Sequence, residues 1–154
     1  MRIQSLVEPR EAEIEVSHLG YKAMYQEQKR IMLLSDTEDL GRIIQLSLQE
    51  IAGWQVFIAN LSPESLDIVE TRQPDIILLD TILPDLDGLT MLKMIQAHQS
   101  SQNIPILLLT ERMFANDLQL YKNLGVAGAL SKPFDPVNLA AEIATKLNWD
   151  LNKF

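Results

Sequence analysis

The chain alternates short runs of consecutive apolar residues with longer stretches in which apolar residues recur every three or four positions. A short apolar run predicts a strand buried on both faces, and the longer spacing predicts an amphipathic helix. Strands are predicted at residues 30–34, 54–59, 75–80, 104–109 and 127–130, and helices at 40–51, 62–72, 89–97, 115–124 and 136–147. The chain therefore reads as five consecutive βα units.

Five βα units in succession favour an α/β fold, because parallel strands need crossover connections and helices provide them. We predict a doubly wound, five-stranded parallel sheet with helices on both faces and right-handed crossovers. The length of 154 residues and the hydrophobic content of 47% are enough for one compact domain. We place this domain at residues 29–148, followed by a short C-terminal tail at 149–154.

Residues 1–28 lie outside the βα pattern and are polar, with acidic residues near their start. Their apolar residues are spaced too loosely to give a helix one dominant apolar face. We interpret this segment as an N-terminal arm that is partly ordered or helical. A leader without a role and a docking segment for a partner both fit its composition.

Composition narrows the classes of function. The formal net charge of −8 argues against direct nucleic-acid binding, which depends on clustered Lys and Arg. The chain has no cysteine and only two, isolated histidines, so a metal ion would be held by oxygen ligands. No apolar stretch is as long as a membrane span, and residues 1–20 carry acids where a signal peptide has its apolar core. The expected location is the cytoplasm, without membrane attachment.

Polar side chains stand where four of the predicted strands end. Asp36 follows the first strand and Asp80 closes the third, while Thr110 follows the fourth and Lys132 follows the fifth. Because the carboxyl ends of parallel strands meet at one edge of the sheet, these side chains are expected to share one cleft. Two carboxylates, a hydroxyl and an ammonium group suit phosphoryl transfer to a carboxylate, which needs charge neutralisation and an in-line nucleophile.

Each of these residues has an expected role in such a transfer. Asp80 would be the nucleophile, Lys132 would pair with the phosphoryl group, and Thr110 would donate a hydrogen bond to one of its oxygens. Asp36 and Asp80 could share a hard divalent cation, for which Mg²⁺ is the expected ion. The backbone carbonyl of Ile82 could add one further ligand.

With these residues in place, the chain resembles the receiver domains of two-component response regulators, of the stand-alone, CheY-like type. The resemblance covers about residues 29–148, and the matching positions are Asp36, Asp80, Pro84, Gly88, Thr110, Lys132, Pro133 and Phe134. It implies a flavodoxin-like fold with strand order 2-1-3-4-5. It further implies that Asp80 accepts a phosphoryl group from a histidine kinase or phosphotransfer protein, that Mg²⁺ is required, and that the Lys132–Pro133 bond is cis.

Two positions depart from that family's pattern. The family usually has two adjacent acids at the end of strand one, and Ser35 stands in place of the first, so Asp36 is the only carboxylate expected beside Asp80. We expect Mg²⁺ binding that is retained but weaker, with Ser35 orienting a water in place of the missing acid. The family often has an aromatic residue three positions before the lysine, and Ala129 stands there. Without that ring, coupling between Asp80 and the surface of helix four, strand five and helix five is expected to be weaker.

This surface is the predicted docking site for a downstream protein partner. It would comprise the switch positions Thr110 and Ala129 together with large side chains on or near helix four and strand five, namely Met113, Phe114, Leu118, Tyr121 and Phe134. Flexible Met beside aromatic rings is common at binding patches, and core packing is the competing explanation for the same residues. The same two explanations, partner binding and packing, apply to Trp149 in the tail, which could cover the base of the domain.

We predict a stand-alone receiver that is phosphorylated on Asp80, acts through phosphorylation-dependent protein contacts and is not an enzyme. The alternative is a pseudo-receiver, an interaction module with weak or no phosphorylation, which Ser35 and Ala129 would favour. A phosphatase with an aspartyl-phosphate intermediate would want an acid at the position of Ile82. A flavin or dinucleotide binder would want a Gly-rich loop after strand one, where Ser35 and Asp36 stand instead.

Overall fold

The computed structural model describes residues 28–83 and 85–149 of the chain. Within this part the strands are β1 Arg30–Leu34, β2 Gln55–Ala59, β3 Ile76–Asp80, β4 Ile106–Thr110 and β5 Gly128–Ser131. The α-helices are α1 Glu38–Ser47, α2 Ser65–Arg72, α3 Leu86–Ala97, α4 Ala115–Asn123 and α5 Leu139–Lys146, and a π-helical turn, Leu48–Ala52, extends α1. Pro84 and nearly all of the predicted arm and tail lie outside the described residues, so those interpretations stay predictions.

The strands form one parallel sheet in the order β2-β1-β3-β4-β5. This result confirms the predicted doubly wound, flavodoxin-like topology. It also places β3 at the centre, between β1 and β4, so the residue that ends β3 lies in the middle of the sheet's carboxyl edge. Among the helices of the described part, none combines the length and the apolar character needed to cross a membrane.

Two apolar cores cover the two faces of the sheet. On β3, Ile76 and Leu78 point into the core beneath α1 and α5, while Ile77 and Leu79 point into the core beneath α2, α3 and α4. All four side chains are fully buried, and each burial stabilises the fold by about 1.5–3 kcal/mol. The apolar run before Asp80 therefore fixes the height and direction of the strand from both sides.

The observed helices differ from the predicted ones mainly at their first turns. Helix α3 begins at Leu86 instead of residue 89, because Gly88, which the sequence suggests for a turn, lies inside the first helical turn. Helix α5 begins at Leu139 instead of residue 136, because the Asp135 carboxylate accepts the Val137 N–H and holds the preceding residues in a turn. The core of each predicted element is present, and only its capping differs.

An aromatic pair closes the amino end of the sheet, opposite Asp80. Trp54 is buried, and Trp149 packs edge to face against it with ring centroids 5.5 Å apart. The Lys29 ammonium lies 4.5 Å from the centre of the Trp149 ring, a distance that allows cation–π attraction. Trp149 thus covers the base of the domain, as the packing interpretation of this residue predicts.

Candidate functional site

The register of the strands brings the predicted site residues to one edge. Leu34 pairs with Leu79, so the next residue on each strand, Ser35 and Asp80, lies level with the other. On the other side of β3, Asp80 pairs with Leu109 of β4. The backbone N–H of Lys132 donates to the Thr110 carbonyl at 2.8 Å, which extends the β4–β5 ladder by one residue. Chain segments that are far apart in sequence therefore meet around Asp80.

Both carboxylate oxygens of Asp80 accept a short hydrogen bond. Lys132 Nζ donates to Oδ1 at 2.7 Å, and Ser35 Oγ donates to Oδ2 at 2.7 Å. The Asp80 side chain is only 5% exposed, whereas that of Lys132 is 27% exposed. A buried carboxylate needs such partners, because desolvating an unpaired charge is costly. The peptide bond between Lys132 and Pro133 is cis, in agreement with the resemblance.

The two polar residues after β1 point to different partners. Ser35 is buried, and its hydroxyl donates directly to Asp80. Asp36 is exposed, and its Oδ1 accepts the backbone N–H of Leu61 at 3.0 Å. The Ser35 hydroxyl thus contacts Asp80 directly, and its expected role in orienting a water beside a bound metal ion stays a prediction.

A cleft of about 810 Å³ opens beside Asp80. Its lining includes Asp36, Ile82 and Lys132, three of the predicted site residues. It also includes two acids that were not predicted for the site, Asp85 at the N-cap of α3 and Asp87 in its first turn. The cleft therefore carries four carboxylates against one ammonium group.

The carbonyl of Ile82, an expected metal ligand, is turned toward the start of α3. Its oxygen accepts the backbone N–H of Asp85 at 3.1 Å. A Cβ at Gly88 would lie 2.7 Å from the same oxygen, so the absence of a side chain allows the loop and the helix to approach closely. The loop after β3 is thus packed directly on α3, and the position of Gly88 accounts for that contact.

Thr110 lies on the other side of Asp80 and does not line the cleft. Its Oγ1 accepts the backbone N–H of Arg112 at 3.0 Å and lies 3.5 Å from the hydroxyl of Tyr121. That hydroxyl donates to the Arg112 carbonyl at 2.8 Å. Thr110, Arg112 and Tyr121 therefore form a closed hydrogen-bonded group that ties β4 to α4. Sequence reasoning missed this group, since no spacing rule links these three positions.

The predicted partner surface is only partly exposed. Phe114 is 80% exposed and Leu118 is 42% exposed, whereas Met113 and Phe134 are half-buried. Tyr121 must be removed from this surface, because its ring is 2% exposed and packs in the core beneath α4. The physical reason is the amphipathic spacing of α4, which turns Tyr121 toward the sheet and leaves Leu118 outside.

A second cleft lies beside Ala129 of β5. Its volume is about 580 Å³, and its walls include Met113, Phe134, Ala141 and Glu142. Strand five and helix α5 therefore meet at an open groove where the family often has an aromatic ring.

The donor set around Asp80 suits a hard cation. Carboxylates line the cleft while cysteine is absent from the whole chain, and carboxylate oxygens are the ligands that Mg²⁺ prefers. In the described residues no three His, Cys, Asp or Glu side chains are arranged closely enough to hold a metal by themselves. Asp36 and Asp80 both line this cleft, and Mg²⁺, which keeps several of its waters, needs only one or two carboxylates.

The profile of the response regulator receiver domain family matches residues 31–144. The chain belongs to this family. Receiver domains are signalling modules, and the match spans all five strands except Arg30, with every strand-end residue described above.

Relatives and solved structures agree with this assignment. The receiver domain is 35% identical to the alkaline phosphatase synthesis transcriptional regulatory protein PhoP of Bacillus subtilis over 115 residues, which cover 75% of this chain and 47% of PhoP. It is 31% identical to the uncharacterised transcriptional regulatory protein YkoG of the same organism over 127 residues, which cover 82% of this chain and 54% of YkoG. The chain thus spans about half the length of these curated relatives.

Among solved structures, the chemotaxis response regulator CheY4 of Vibrio cholerae superposes with a TM-score of 0.68 at 25% identity and covers 78% of this chain and 99% of its own. A putative response regulator from Chloroflexus aurantiacus gives a TM-score of 0.65 at 27% identity, with 79% of this chain and 99% of that chain covered. Both comparisons place the receiver domain in the doubly wound fold.

Proposed function

We propose that this receiver domain accepts a phosphoryl group on Asp80 from a histidine kinase or phosphotransfer protein. The observation that carries the proposal is the Asp80–Lys132 ion pair of 2.7 Å at the wall of an open cleft. A carboxylate oxygen of Asp80 forms a bond to phosphorus while the bond between phosphorus and the donor's nitrogen breaks. The electron pair of the broken bond leaves with the donor's imidazole.

The residues around the cleft have different roles in this transfer. Lys132 holds the carboxylate before the reaction and balances the charge of the phosphoryl oxygens afterwards, because its ammonium faces both Asp80 and the cleft. Asp36 and Asp80 would hold Mg²⁺, which supplies charge neutralisation when bound. The cleft leaves room for a donor side chain to approach Asp80.

Intact-mass spectrometry after incubation with acetyl phosphate and Mg²⁺ tests this proposal. The wild-type protein is expected to gain the mass of one phosphoryl group, and Asp80→Asn is expected to gain none, because an amide is a far weaker nucleophile than a carboxylate. Asp67→Asn, an exposed aspartate on α2, serves as the matched control and should behave like the wild type. An equal gain in wild type and Asp80→Asn would contradict the proposal by placing the phosphoryl group on another residue. No gain in the wild type would also contradict it and would support the pseudo-receiver alternative, which Ser35 favours.

We further propose that phosphorylation is transmitted through the loop between β4 and α4. To donate to a phosphoryl oxygen on Asp80, Thr110 Oγ1 has to move toward that group, and this movement takes it away from the Arg112 N–H that it accepts. The loop that carries the exposed Phe114 then loses one of its anchors. The groove beside Ala129 and the exposed side chains of α4 are the proposed contact surface for a downstream protein.

Hydrogen–deuterium exchange with beryllofluoride and Mg²⁺ measures this transmission. We expect faster exchange in the peptide that spans residues 110–118, because the Arg112 amide loses its acceptor, and unchanged exchange around Trp149 at the base. Asp80→Asn should show no difference with and without beryllofluoride. Unchanged exchange at 110–118 in a protein that has bound beryllofluoride would contradict the proposed route.

Other sequence-based expectations stay predictions. These are the stand-alone organisation, the cytoplasmic location, the lack of direct nucleic-acid binding and the lack of enzymatic turnover. The relatives are named transcriptional regulators and are about twice as long as the matched region, so their own activities are not transferred to this chain.

A further inference from the structure

Ser35 occupies the position beside Asp80 where the family's pattern has an acid, and its contacts are specific. Its Oγ donates to Asp80 Oδ2 at 2.7 Å, and the same oxygen accepts the backbone N–H of Thr37 at 3.0 Å. Its own backbone N–H donates to the Ala59 carbonyl at 2.9 Å. Because the Thr37 N–H occupies a lone pair of Oγ, the hydroxyl proton is left to point at Asp80.

The chain itself supplies one hydrogen-bond donor to each oxygen of the Asp80 carboxylate. Lys132 Nζ occupies Oδ1 and Ser35 Oγ occupies Oδ2, so each oxygen of the buried carboxylate has a donor. Asp36, the remaining acid after β1, accepts the Leu61 N–H with its Oδ1. Each carboxylate oxygen has two lone pairs, so a cation at Asp80 Oδ2 meets the Ser35 hydroxyl proton either in its own place or on the neighbouring lone pair, and in both cases the proton opposes the cation.

We propose that Ser35 is a positioning residue that holds Asp80 Oδ2 in the metal-free protein and competes with a divalent cation for that oxygen. A hydrogen bond from a hydroxyl to a buried carboxylate is short and stronger than a neutral one, so giving it up lowers the net affinity for the cation. Ser35 thus weakens metal binding actively, beyond the loss of a carboxylate ligand. This inference adds a regulatory feature to the site and rests on the proposed function for its biological meaning.

Mn²⁺ binding tests this proposal, because the proposal fixes the direction in which the affinity changes. The electron paramagnetic resonance signal of the free aqueous ion measures that affinity. Ser35→Ala removes the competing hydroxyl and is expected to bind Mn²⁺ about three- to tenfold more tightly than the wild type, since water only partly replaces the lost hydrogen bond. Ser35→Thr restores a hydroxyl and should return the affinity to the wild-type value. Asp80→Asn in both backgrounds should abolish the difference, which would locate the ion at Asp80.

Several results would contradict the proposal. If Ser35 served the cation through a water, Ser35→Ala would bind Mn²⁺ more weakly than the wild type, and equal or weaker binding overturns the proposal. Undetectable binding in both proteins also overturns it. Thermal unfolding of each variant shows whether its fold is intact. If Ser35→Ala fails to fold, Ser35→Thr is compared with the wild type instead. A folded Ser35→Thr whose Mn²⁺ affinity differs from the wild-type value refutes the proposal. The titration contains no phosphodonor, so its outcome is independent of whether Asp80 becomes phosphorylated.

Discussion

Replacing Lys132 with alanine is expected to slow the phosphorylation of Asp80 by about a hundredfold to a thousandfold, the typical cost of removing one preorganised charged donor. Lys132 Nζ lies 2.7 Å from Asp80 Oδ1, and the Asp80 side chain is 5% exposed, so the lost charge is not replaced fully by water. Time courses of intact mass with acetyl phosphate and Mg²⁺ measure the rate.

Lys122→Ala provides the matched control for this substitution. Lys122 is an exposed lysine near the end of α4, so its removal changes the net charge by the same amount without touching the cleft. The control should keep the wild-type rate to within about twofold, because exposed charges at a distance are largely screened by salt. A Lys132→Ala rate equal to the control rate would show that the ion pair plays no part in the transfer.

Replacing Gly88 with alanine is expected to destabilise the domain by about 2 kcal/mol, within the usual range for overpacking. A Cβ at this position would lie 2.7 Å from the Ile82 carbonyl oxygen, which cannot turn away without losing the N–H of Asp85, and 2.9 Å from Thr81 Oγ1. The intrinsic helix preference of alanine over glycine, about 0.5–1 kcal/mol, acts in the opposite direction and is too small to compensate. Urea unfolding with a common m-value measures the difference.

Gly41→Ala separates this clash from the general effect of adding a methyl group to a helix. Gly41 is also helical and buried, but the nearest atoms to its added Cβ lie at 3.5 Å, an ordinary contact distance. We expect Gly41→Ala to keep or raise the free energy of unfolding by up to about 1 kcal/mol. If the two variants had equal stability, the close approach of the β3–α3 loop to α3 would not be the reason for glycine at position 88.

The fold was predictable because its signals are local and repeated. Each strand is a run of apolar residues buried on both faces, and each crossover helix follows at the expected interval, so strand type and sheet class do not depend on any single residue. Helix starts were less predictable. At α3 the glycine that suggests a turn is required for packing against the Ile82 carbonyl, a contact that no local pattern records.

The candidate site, like the fold, was predictable only in part. The chemistry available at the carboxyl edge follows from which residues end the strands, and Asp36, Asp80 and Lys132 do line one cleft. The burial of Tyr121 and its hydrogen bond to the Arg112 carbonyl follow from how α4 packs on the sheet. The acids after β3 that line the cleft were visible in the sequence, but only the position of the loop assigns them to it.

By itself, the sequence determined a five-stranded parallel sheet with an aspartate at the end of its central strand and a lysine at the end of an outer one, because periodicity encodes which faces are buried. Only the tertiary structure decided the partner of each polar atom at that edge. Ser35 and Asp80 are 45 positions apart, and Lys132 is 52 positions beyond Asp80. Hydrogen bonds between such residues depend on strand register and side-chain torsions, which are fixed when the two apolar cores pack and not by neighbours along the chain.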